Sequence, residues 1–295
     1  MRVLIVNIDS KIPNLALAKI EKYHRDRGDE ITDYPLNANK VDKIYVSCVF
    51  RKNSAKAIGW SAYPNALIGG SGMPDVKNKL PDEIESILPR INLGFTTRGC
   101  IRHCPFCIVP AKEGGIKIVG DLLDLWDGGK SKEIKVLDNN ILAVPKHFKL
   151  VCRQARDNHI KIDFNQGLDI RLVDEDIARE LSTLRIKTIR FAWDNMADET
   201  IVRKNLQLLS KYVTMSKIMI YVLCGYNTTF AEDMYRRTEI NKFGCDAYIM
   251  PYQKSRLMNE FSSWNNRFKY RNVPFEDYLK MRKSSYLAEG IKLCK

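Results

Sequence analysis

The sequence predicts an α/β protein, and three observations support this class. Apolar, strand-like runs alternate with helix-like stretches almost without interruption between residues 94 and 252, a pattern typical of parallel βα units. Residues 1–75 repeat the alternation on a smaller scale. Hydrophobic residues make up 45% of the 295 residues, which is enough to build a large core. The pattern alone leaves an open, doubly wound sheet and a barrel as alternatives.

Residues 1–75 are predicted to form a small, Rossmann-like α/β domain. A strand at 3–7 is followed by a helix striped by Ala16, Ile20 and Tyr23, and then by a second strand at 43–50. A short strand at 65–68 leads into a glycine-rich run at 69–72, which is a weak signal for a site that cradles a phosphate or a corrinoid tail. Residues 76–92 are predicted to be a linker.

Residues 93–252 are predicted to form the main domain, with six strands. The strands are expected at 93–97, 134–138, 160–165, 188–194, 218–224 and 246–250. Helices are expected between them, at about 119–126, after Pro145, and at 175–184, 198–212 and 230–243. The helix after Pro145 is well marked, since Phe148, Val151 and Ala155 recur at helical spacing.

Short polar residues and glycines recur where the predicted strands stop. In parallel α/β folds the carboxyl ends of the strands gather the chemistry, so these residues are candidates for ligand contacts. The same residue types also cap helices and form turns, which leaves a purely local role as the alternative. The candidates are Asp138, Asn139, Asn140, Asn165, Gln166, Asp194, Gly225, Tyr226 and Asn227.

Three closely spaced cysteines are the most specific motif of the chain. Cys100, Cys104 and Cys107 lie in the run GFTTRGCIRHCPFCIVPAKEGG, with Phe106 directly before the last of them. No fourth cysteine follows nearby, so a metal site here would keep one position open, whereas structural metal sites are usually closed by a fourth protein ligand. Zinc is the alternative, with His103 or a distant cysteine as the fourth ligand.

The C-x3-C-x2-C spacing after a short apolar strand resembles the signature of the radical S-adenosylmethionine (radical SAM) superfamily, and the resemblance covers about residues 94–252. It implies a partial (β/α)6 TIM-type barrel and a [4Fe-4S] cluster on the three cysteines, with S-adenosylmethionine bound to the open iron. It also implies an enzyme that cleaves this cofactor reductively to a 5′-deoxyadenosyl radical, which abstracts hydrogen from a substrate. A reductant such as flavodoxin or ferredoxin would supply the electron.

The resemblance also implies contacts to S-adenosylmethionine. Phe106 is expected near the adenine. The family's glycine-glycine-glutamate segment is replaced here by Leu137 to Asn140, so Asp138 and Asn139 are the candidates for binding the methionyl amine. The predicted cofactor contacts are Phe106, Asp138, Asn139, Asn165, Asp194, Gly225 and Met250. No residue is assigned as hydrogen donor, acid or base.

The small domain ahead of the cysteines resembles the cobalamin-binding domain that precedes many radical SAM domains. A cobalamin-dependent radical SAM methyltransferase is therefore an alternative function. The family's D-x-H-x-x-G element is absent, because the loop after the first strand reads NIDSKIP from Asn7 to Pro13. We expect a degenerate domain that caps the site or presents substrate, without cobalamin.

The chain is basic, with a net charge of +13, and its last segment holds much of the excess. Residues 253–295, predicted to be a helical extension, carry ten Lys or Arg against four Asp or Glu. The run WNNRFKYRN interleaves aromatic and basic residues, which makes nucleic acid a candidate partner. The alternative is a solvated basic face with Trp264, Phe268 and Tyr270 partly in the core. A non-catalytic, metal-containing nucleic-acid-binding module is thus a third functional class.

The apolar run in the opening residues MRVLIVNID is too short for a signal peptide, because polar residues follow at once. Elsewhere in the sequence no apolar run approaches the roughly 20 residues that span a bilayer. We therefore expect a cytoplasmic protein without a membrane partner. The five cysteines outside the motif lie singly, and we expect them to be reduced.

Overall fold

The chain folds as a mixed α/β protein whose three larger sheets consist of parallel strands, which confirms the predicted class. The computed structural model describes residues 1–73, 80–129 and 131–282. Residues 74–79, at the junction of the predicted N-terminal domain and linker, and residues 283–295 of the predicted extension lie outside the described residues. Across the described residues, no helix combines the length and the apolar composition that crossing a bilayer requires.

The N-terminal unit is a four-stranded parallel sheet with the strand order β2-β1-β3-β4. The predicted strands and first helix are present, and β2 and α2 are additional. Asn14 caps α1, because its side chain accepts a hydrogen bond from the Leu17 N–H at 3.2 Å. The elements are β1 (Arg2–Asn7), α1 (Leu15–Asp26), β2 (Glu30–Thr32), β3 (Lys43–Ser47), α2 (Ser54–Ile58) and β4 (Ala66–Gly69).

A short helix, α3 (Asp82–Glu85), extends this unit into the segment predicted as a linker. Its Ile84 is buried with Val3, Leu17 and Tyr45 in one apolar cluster. Lys19 on α1 also pairs with Glu85, with 3.1 Å between Nζ and Oε1. The N-terminal unit therefore continues well past residue 75.

The main domain contains six parallel strands in two three-stranded sheets, β5-β8-β9 and β10-β11-β12. Two isolated parallel bridges, Lys161 to Arg185 and Leu168 to Phe191, link the two sheets. The elements are β5 (Leu93–Gly94), β6 (Thr97–Arg98), α4 (Val109–Glu113), β7 (Lys117–Ile118), β8 (Glu133–Val136), α5 (Pro145–Asp157), β9 (Lys161–Phe164), α6 (Glu175–Ser182), β10 (Ile189–Ala192), α7 (Glu199–Leu209), β11 (Ile218–Cys224), α8 (Phe230–Lys242) and β12 (Asp246–Pro251).

The segment 119–126 corrects one prediction. These residues, all within the described part of the chain, form successive turns in place of the expected helix. The Asp121 carboxylate accepts hydrogen bonds from the Leu123 and Asp124 N–H groups at 2.9 and 3.2 Å, and the Asp124 carboxylate accepts one from the Asp121 N–H at 2.9 Å. Such local side-chain bonds compete with the helical backbone pattern.

The predicted first strand is also divided. β5 spans two residues, and β6 then pairs antiparallel with β7 instead of continuing the parallel sheet. The break falls at Phe95 and Thr96, between the two short strands.

The strands of the main domain present two different faces. Ile134, Ile162, Ile189, Ile220 and Ile249 are buried with apolar residues of helices α5 to α8 in one large core. Residues that alternate with them point to the opposite face, because successive side chains of a strand point in opposite directions.

The C-terminal segment forms α9 (Arg256–Asn266) and α10 (Phe275–Met281), with Pro274 at the predicted break. α9 packs on β12 through side-chain amides. Asn266 accepts a hydrogen bond from the Ile249 N–H at 2.8 Å and donates one to the Ile249 carbonyl at 2.9 Å. Asn265 donates to the Ala247 carbonyl at 2.6 Å. The described part of the extension thus closes the free edge of β12.

Two of the three aromatic residues of the basic run lie in the core. Trp264 is buried, and its indole N–H donates to the Val273 carbonyl at 2.7 Å. Tyr270 packs against the same core, with the Arg237 guanidinium 4.1 Å from its ring. Phe268 is 41% exposed. The alternative of partly buried aromatics is confirmed for Trp264 and Tyr270, which leaves Phe268 as the accessible ring of the three.

Candidate metal centre and cofactor site

The three motif cysteines line one cavity. Cys100, Cys104 and Cys107 are half-buried, and the same cavity is lined by Arg102, Val109, Asn139 and Gln166. Asn139 follows β8 and Gln166 follows β9, so the cavity opens at the carboxyl ends of these strands. Two of the residues singled out at strand ends are thereby brought beside the cysteines.

The cysteine loop begins with a turn that requires glycine. Gly99 has φ +83°, and a Cβ atom there would lie 2.2 Å from the Gly115 carbonyl oxygen. The Cys100 N–H donates to the Gly114 carbonyl at 3.2 Å. The two ends of the loop therefore touch, backbone to backbone.

Hydrogen-bond donors surround two of the three sulfur atoms. The Arg102 N–H lies 3.3 Å from Cys100 Sγ, and the Val109 N–H lies 3.5 Å from Cys107 Sγ. The Asn140 amide nitrogen lies 3.5 Å from Cys100 Sγ. Donors aimed at sulfur stabilise the thiolate, which is the form that binds metal.

Two of the three thiols have a raised pKa. Burial raises the pKa of Cys104 against the opposing charge of Arg171, and burial also raises the pKa of Cys107. The charge of Asp194 acts in the same direction on both. Metal binding here would therefore release protons.

Within the described residues, no group of three or more His, Cys, Asp or Glu side chains is placed so that it could hold a metal ion. The three thiols nevertheless line one cavity, and His103, the candidate fourth ligand for zinc, is exposed.

Asp169 fixes the middle of the cysteine loop. It accepts hydrogen bonds from Arg102 Nε at 3.0 Å, Arg171 Nε at 2.7 Å and Asn140 Nδ2 at 3.2 Å. Burial would raise the pKa of Asp169, but the two guanidinium groups outweigh burial and lower it. Arg102, between the first two cysteines, is thus held by an ionised carboxylate beyond β9.

Glu113 fixes both ends of the loop. Its buried carboxylate accepts hydrogen bonds from Arg98 Nη2 at 2.9 Å, from the Gly99 N–H at 3.1 Å and from Asn139 Nδ2 at 2.7 Å. Burial opposes ionisation, yet the Arg98 guanidinium prevails and lowers the pKa of Glu113. The loop is therefore tied to the end of β8 through Asn139.

The Asp138 carboxylate is hydrogen-bonded to Thr96 and Thr97. One carboxylate oxygen accepts hydrogen bonds from the Thr96 and Thr97 N–H groups at 2.6 and 3.0 Å, and the other accepts one from the Thr96 hydroxyl at 2.5 Å. Burial raises the pKa of Asp138. Of the two candidates for binding the methionyl amine, Asn139 is the one that lines the cavity.

A buried ion pair organises the ends of β10 and β11. Arg236 donates to the Trp193 carbonyl at 2.5 Å, to the Leu223 carbonyl at 2.7 Å and to Asp233 at 2.6 Å. Asp233 also accepts from the Gly225 N–H at 3.0 Å. Through these hydrogen bonds the ion pair fixes the backbone at and next to the predicted residues Gly225 and Asp194.

The predicted residues Asp194, Gly225 and Asn165 have distinct surroundings. Burial raises the pKa of Asp194 against the opposing charges of Arg236 and Arg171. Gly225 has φ +74°, a conformation that favours glycine. Asn165 follows β9, and its backbone carbonyl accepts a hydrogen bond from the Tyr221 hydroxyl at 3.4 Å.

Three aromatic rings meet beside the cysteine loop. Phe106 packs edge-on against Tyr226 with 5.2 Å between ring centroids, and Tyr226 packs against Tyr252 at 4.7 Å. Tyr226 follows β11 and Tyr252 follows β12, where Met250 is 44% exposed. The fold therefore brings Phe106 to the ends of the two last strands.

The N-terminal unit offers less to a ligand than its sequence suggested. The Asp9 carboxylate occupies the ends of β1 and β3, since it accepts from the Val49 and Phe50 N–H groups at 2.8 and 3.0 Å. A Cβ at Gly70 would lie 2.2 Å from the Cys48 carbonyl oxygen. The glycine run therefore packs against backbone. Ser71 next to it accepts from Lys112 Nζ on α4 at 2.5 Å, which joins the unit to the cysteine loop.

Sequence reasoning missed Arg98, Glu113, Asp169, Arg171 and Arg236. Their partners lie between two and 67 residues away, and nothing in their spacing marks them. The chain matches no model of a known protein family and no curated protein.

Proposed function

We propose that this protein is a radical SAM enzyme. Cys100, Cys104 and Cys107 would hold a [4Fe-4S] cluster, and S-adenosylmethionine would occupy the open iron. When bound, the two cofactors supply the 5′-deoxyadenosyl radical that abstracts hydrogen from the substrate. The observation that carries this proposal is the common cavity of the three thiols, which opens at the carboxyl ends of β8 and β9.

The strand order supports a partial (β/α)6 barrel as the scaffold. The strands follow one another in chain order through both sheets, and the two isolated bridges join β9 to the segment around β10. A doubly wound sheet requires a reversal of strand order, with helices on both faces. Here the apolar face of the strands packs with helices α5 to α8 in one core.

The residues around the cavity have separate tasks in this proposal. The rings of Phe106, Tyr226 and Tyr252 would flank the adenine, and the backbone at Met250 would meet the base edge. Asn139, held by Glu113, would bind the methionyl amine. Asp194, Asn165 and Gly225 complete the cofactor contacts. Asp138, Asp169 and Glu113 are positioning residues, because their oxygens already bind the polypeptide.

An external one-electron donor such as flavodoxin or ferredoxin would reduce the cluster. The half-buried thiols keep the centre close to the surface, as electron transfer from another protein requires. The described residues give less support to the two other functional classes. Asp9 is bonded to the Val49 N–H, the Gly70 backbone lies against Cys48, Trp264 is buried and Tyr270 is half-buried against the core.

The test is anaerobic reconstitution followed by iron and sulfide analysis, then dithionite reduction with S-adenosylmethionine and chromatography for 5′-deoxyadenosine. We expect about four irons per chain and formation of the nucleoside. Cys104→Ala should abolish both. Cys245→Ala removes a buried thiol far from the motif and is the matched control, which should keep its iron. Zinc in place of iron, with no nucleoside, would overturn the proposal.

A further inference from the structure

The face of the main sheet that turns away from the helices carries charged and aromatic side chains. Each of them alternates along its strand with a buried apolar residue of the helix-facing core. We call this set the inner patch. It consists of Lys135 on β8, Asp163 on β9, Arg190 on β10, Tyr221 on β11 and Tyr248 on β12.

Two cations of the inner patch share one carboxylate. Lys135 Nζ lies 2.9 Å from one oxygen of Asp163, and Arg190 Nη1 binds the other oxygen. The side chains of Lys135, Asp163 and Arg190 are 30%, 18% and 21% exposed, so they are partly withdrawn from water without being sealed. The trio carries one unbalanced positive charge.

The two tyrosines extend the patch. Their rings are 5.7 Å apart and nearly perpendicular. Burial raises the pKa of Tyr221, and Arg190 acts in the opposite direction, so the ring lies within electrostatic reach of the guanidinium. Tyr248 is 40% exposed and offers an accessible ring beside the cations. An exposed tyrosine ring offers an apolar face on which a planar group can pack.

The inner patch lies directly below the cofactor end of the sheet. Asp163 precedes Asn165 by two residues, which is roughly 7 Å along a strand. The Tyr221 hydroxyl donates to the Asn165 carbonyl at 3.4 Å, which joins the two regions. A molecule bound at the patch would therefore reach towards the site where the radical is formed.

We propose that the inner patch binds the substrate, and that this substrate carries an anionic group, phosphate or carboxylate, next to a planar ring. The inference rests on the proposed function. The unbalanced charge of Lys135 and Arg190 attracts the anion, and the Arg190 guanidinium can bind two of its oxygens in parallel. The exposed ring of Tyr248 packs on the planar part. A ladder that only stabilised the sheet would balance its charges and cover its ring.

The test is calorimetric binding to the reconstituted protein saturated with S-adenosylmethionine. The probes are uridine 5′-monophosphate, benzoate and inorganic phosphate. Binding of the nucleotide identifies a phosphate site, and binding of benzoate identifies a carboxylate site. The ring-bearing probe that binds should bind more tightly than inorganic phosphate, which lacks a ring.

Three variants complete the test. Arg190→Gln should weaken the binding probe at least about tenfold, because it removes a charge-assisted hydrogen bond. Tyr248→Leu, at a half-exposed ring, keeps the fold and should weaken the ring-bearing probe but not inorganic phosphate. Arg179→Gln on the exposed surface of α6 is the control and should change nothing.

The inference fails if neither ring-bearing probe binds the wild-type protein, or if Arg179→Gln weakens binding as much as Arg190→Gln. Iron content reports on the proposed function separately. Loss of probe binding with about four irons per chain overturns the inner patch alone, whereas absence of iron overturns the radical SAM assignment.

Discussion

Glu113 and Asn139 are joined by a hydrogen bond of 2.7 Å between the Glu113 carboxylate and the Asn139 amide nitrogen. The same carboxylate binds the Arg98 guanidinium and the Gly99 N–H. One side chain thus connects the start of the cysteine loop, its end and the strand end that faces the cavity. The loop geometry depends on this group more than on any cysteine neighbour in sequence.

Glu113→Gln should lower the iron content and destabilise the fold by about 1–3 kcal/mol, because it removes the nearer of the two carboxylates that pair with the partly buried Arg98. Iron analysis and urea unfolding measure the two effects. Glu133→Gln is the matched control, since Glu133 pairs with Lys161 at an exposed position, and the expected change is below about 1 kcal/mol. Equal effects in both variants would contradict the role of Glu113.

Gly99→Ala should prevent cluster assembly. The new Cβ would lie 2.2 Å from the Gly115 carbonyl, so the two ends of the loop must move apart. Gly114→Ala provides the control at the same loop. Gly114 also has a positive φ, +72°, but a Cβ there meets no atom within 4 Å. The control should show only the backbone strain, about 1 kcal/mol, and should keep its iron.

Arg236→Met should destabilise the protein by about 3–5 kcal/mol, because it leaves the buried Asp233 carboxylate without its cationic partner. Urea unfolding measures the loss. The double variant Arg236→Met/Asp233→Leu removes both charges and should recover part of the stability. A control is Lys280→Met, whose pair with Asp277 is exposed and should contribute at most about 1 kcal/mol. No difference between the single and double variants would argue against the buried pair.

Stability should fall in mild acid because of His147. This side chain is buried, its Nε2 has no hydrogen-bond partner in the described residues, and burial lowers its pKa against the opposing charges of Asp138 and Asp121. The unfolded chain, with a His pKa of about 6.5, therefore takes up the proton first. The stabilising contribution is complete above about pH 6.5 and is lost as the pH falls towards the folded pKa.

Unfolding measured between pH 7.5 and 5 tests this expectation. His147→Gln should flatten the pH dependence. His159→Asn should leave it unchanged, because His159 is exposed and asparagine tolerates its positive φ of 56°. An identical pH profile in His147→Gln and the wild type would rule out His147 as the source.

The parts of the fold that depend on local patterns could be predicted. The strand at 218–224 was found with its bounds, because seven residues alternate between buried and less buried positions. The helix predicted at 119–126 was wrong, because the side chains of Asp121 and Asp124 accept hydrogen bonds from nearby backbone groups that a helix would use. A pattern of apolar and polar residues does not reveal this competition for backbone hydrogen bonds.

Part of the candidate site could be predicted: the three cysteines, Phe106, and the strand-end residues Asn139 and Gln166. The cysteines can be recognised from their spacing, and Phe106 from its position directly before Cys107. By contrast, Glu113, Asp169 and Arg236 act through contacts that exist only after the strands have assembled. The division of the first strand has a similar origin. Asp138, 42 residues from Thr96, draws the backbone of Thr96 and Thr97 towards itself.

The amide of Asn266 has a further consequence. It offers Ile249 one donor and one acceptor, as the backbone of a neighbouring strand would. An exposed edge strand is a template on which other chains can pair and aggregate. At Ile249 this template is blocked by a single side chain of the same molecule. The backbone of Ile249 is therefore unavailable for pairing with a strand of another chain.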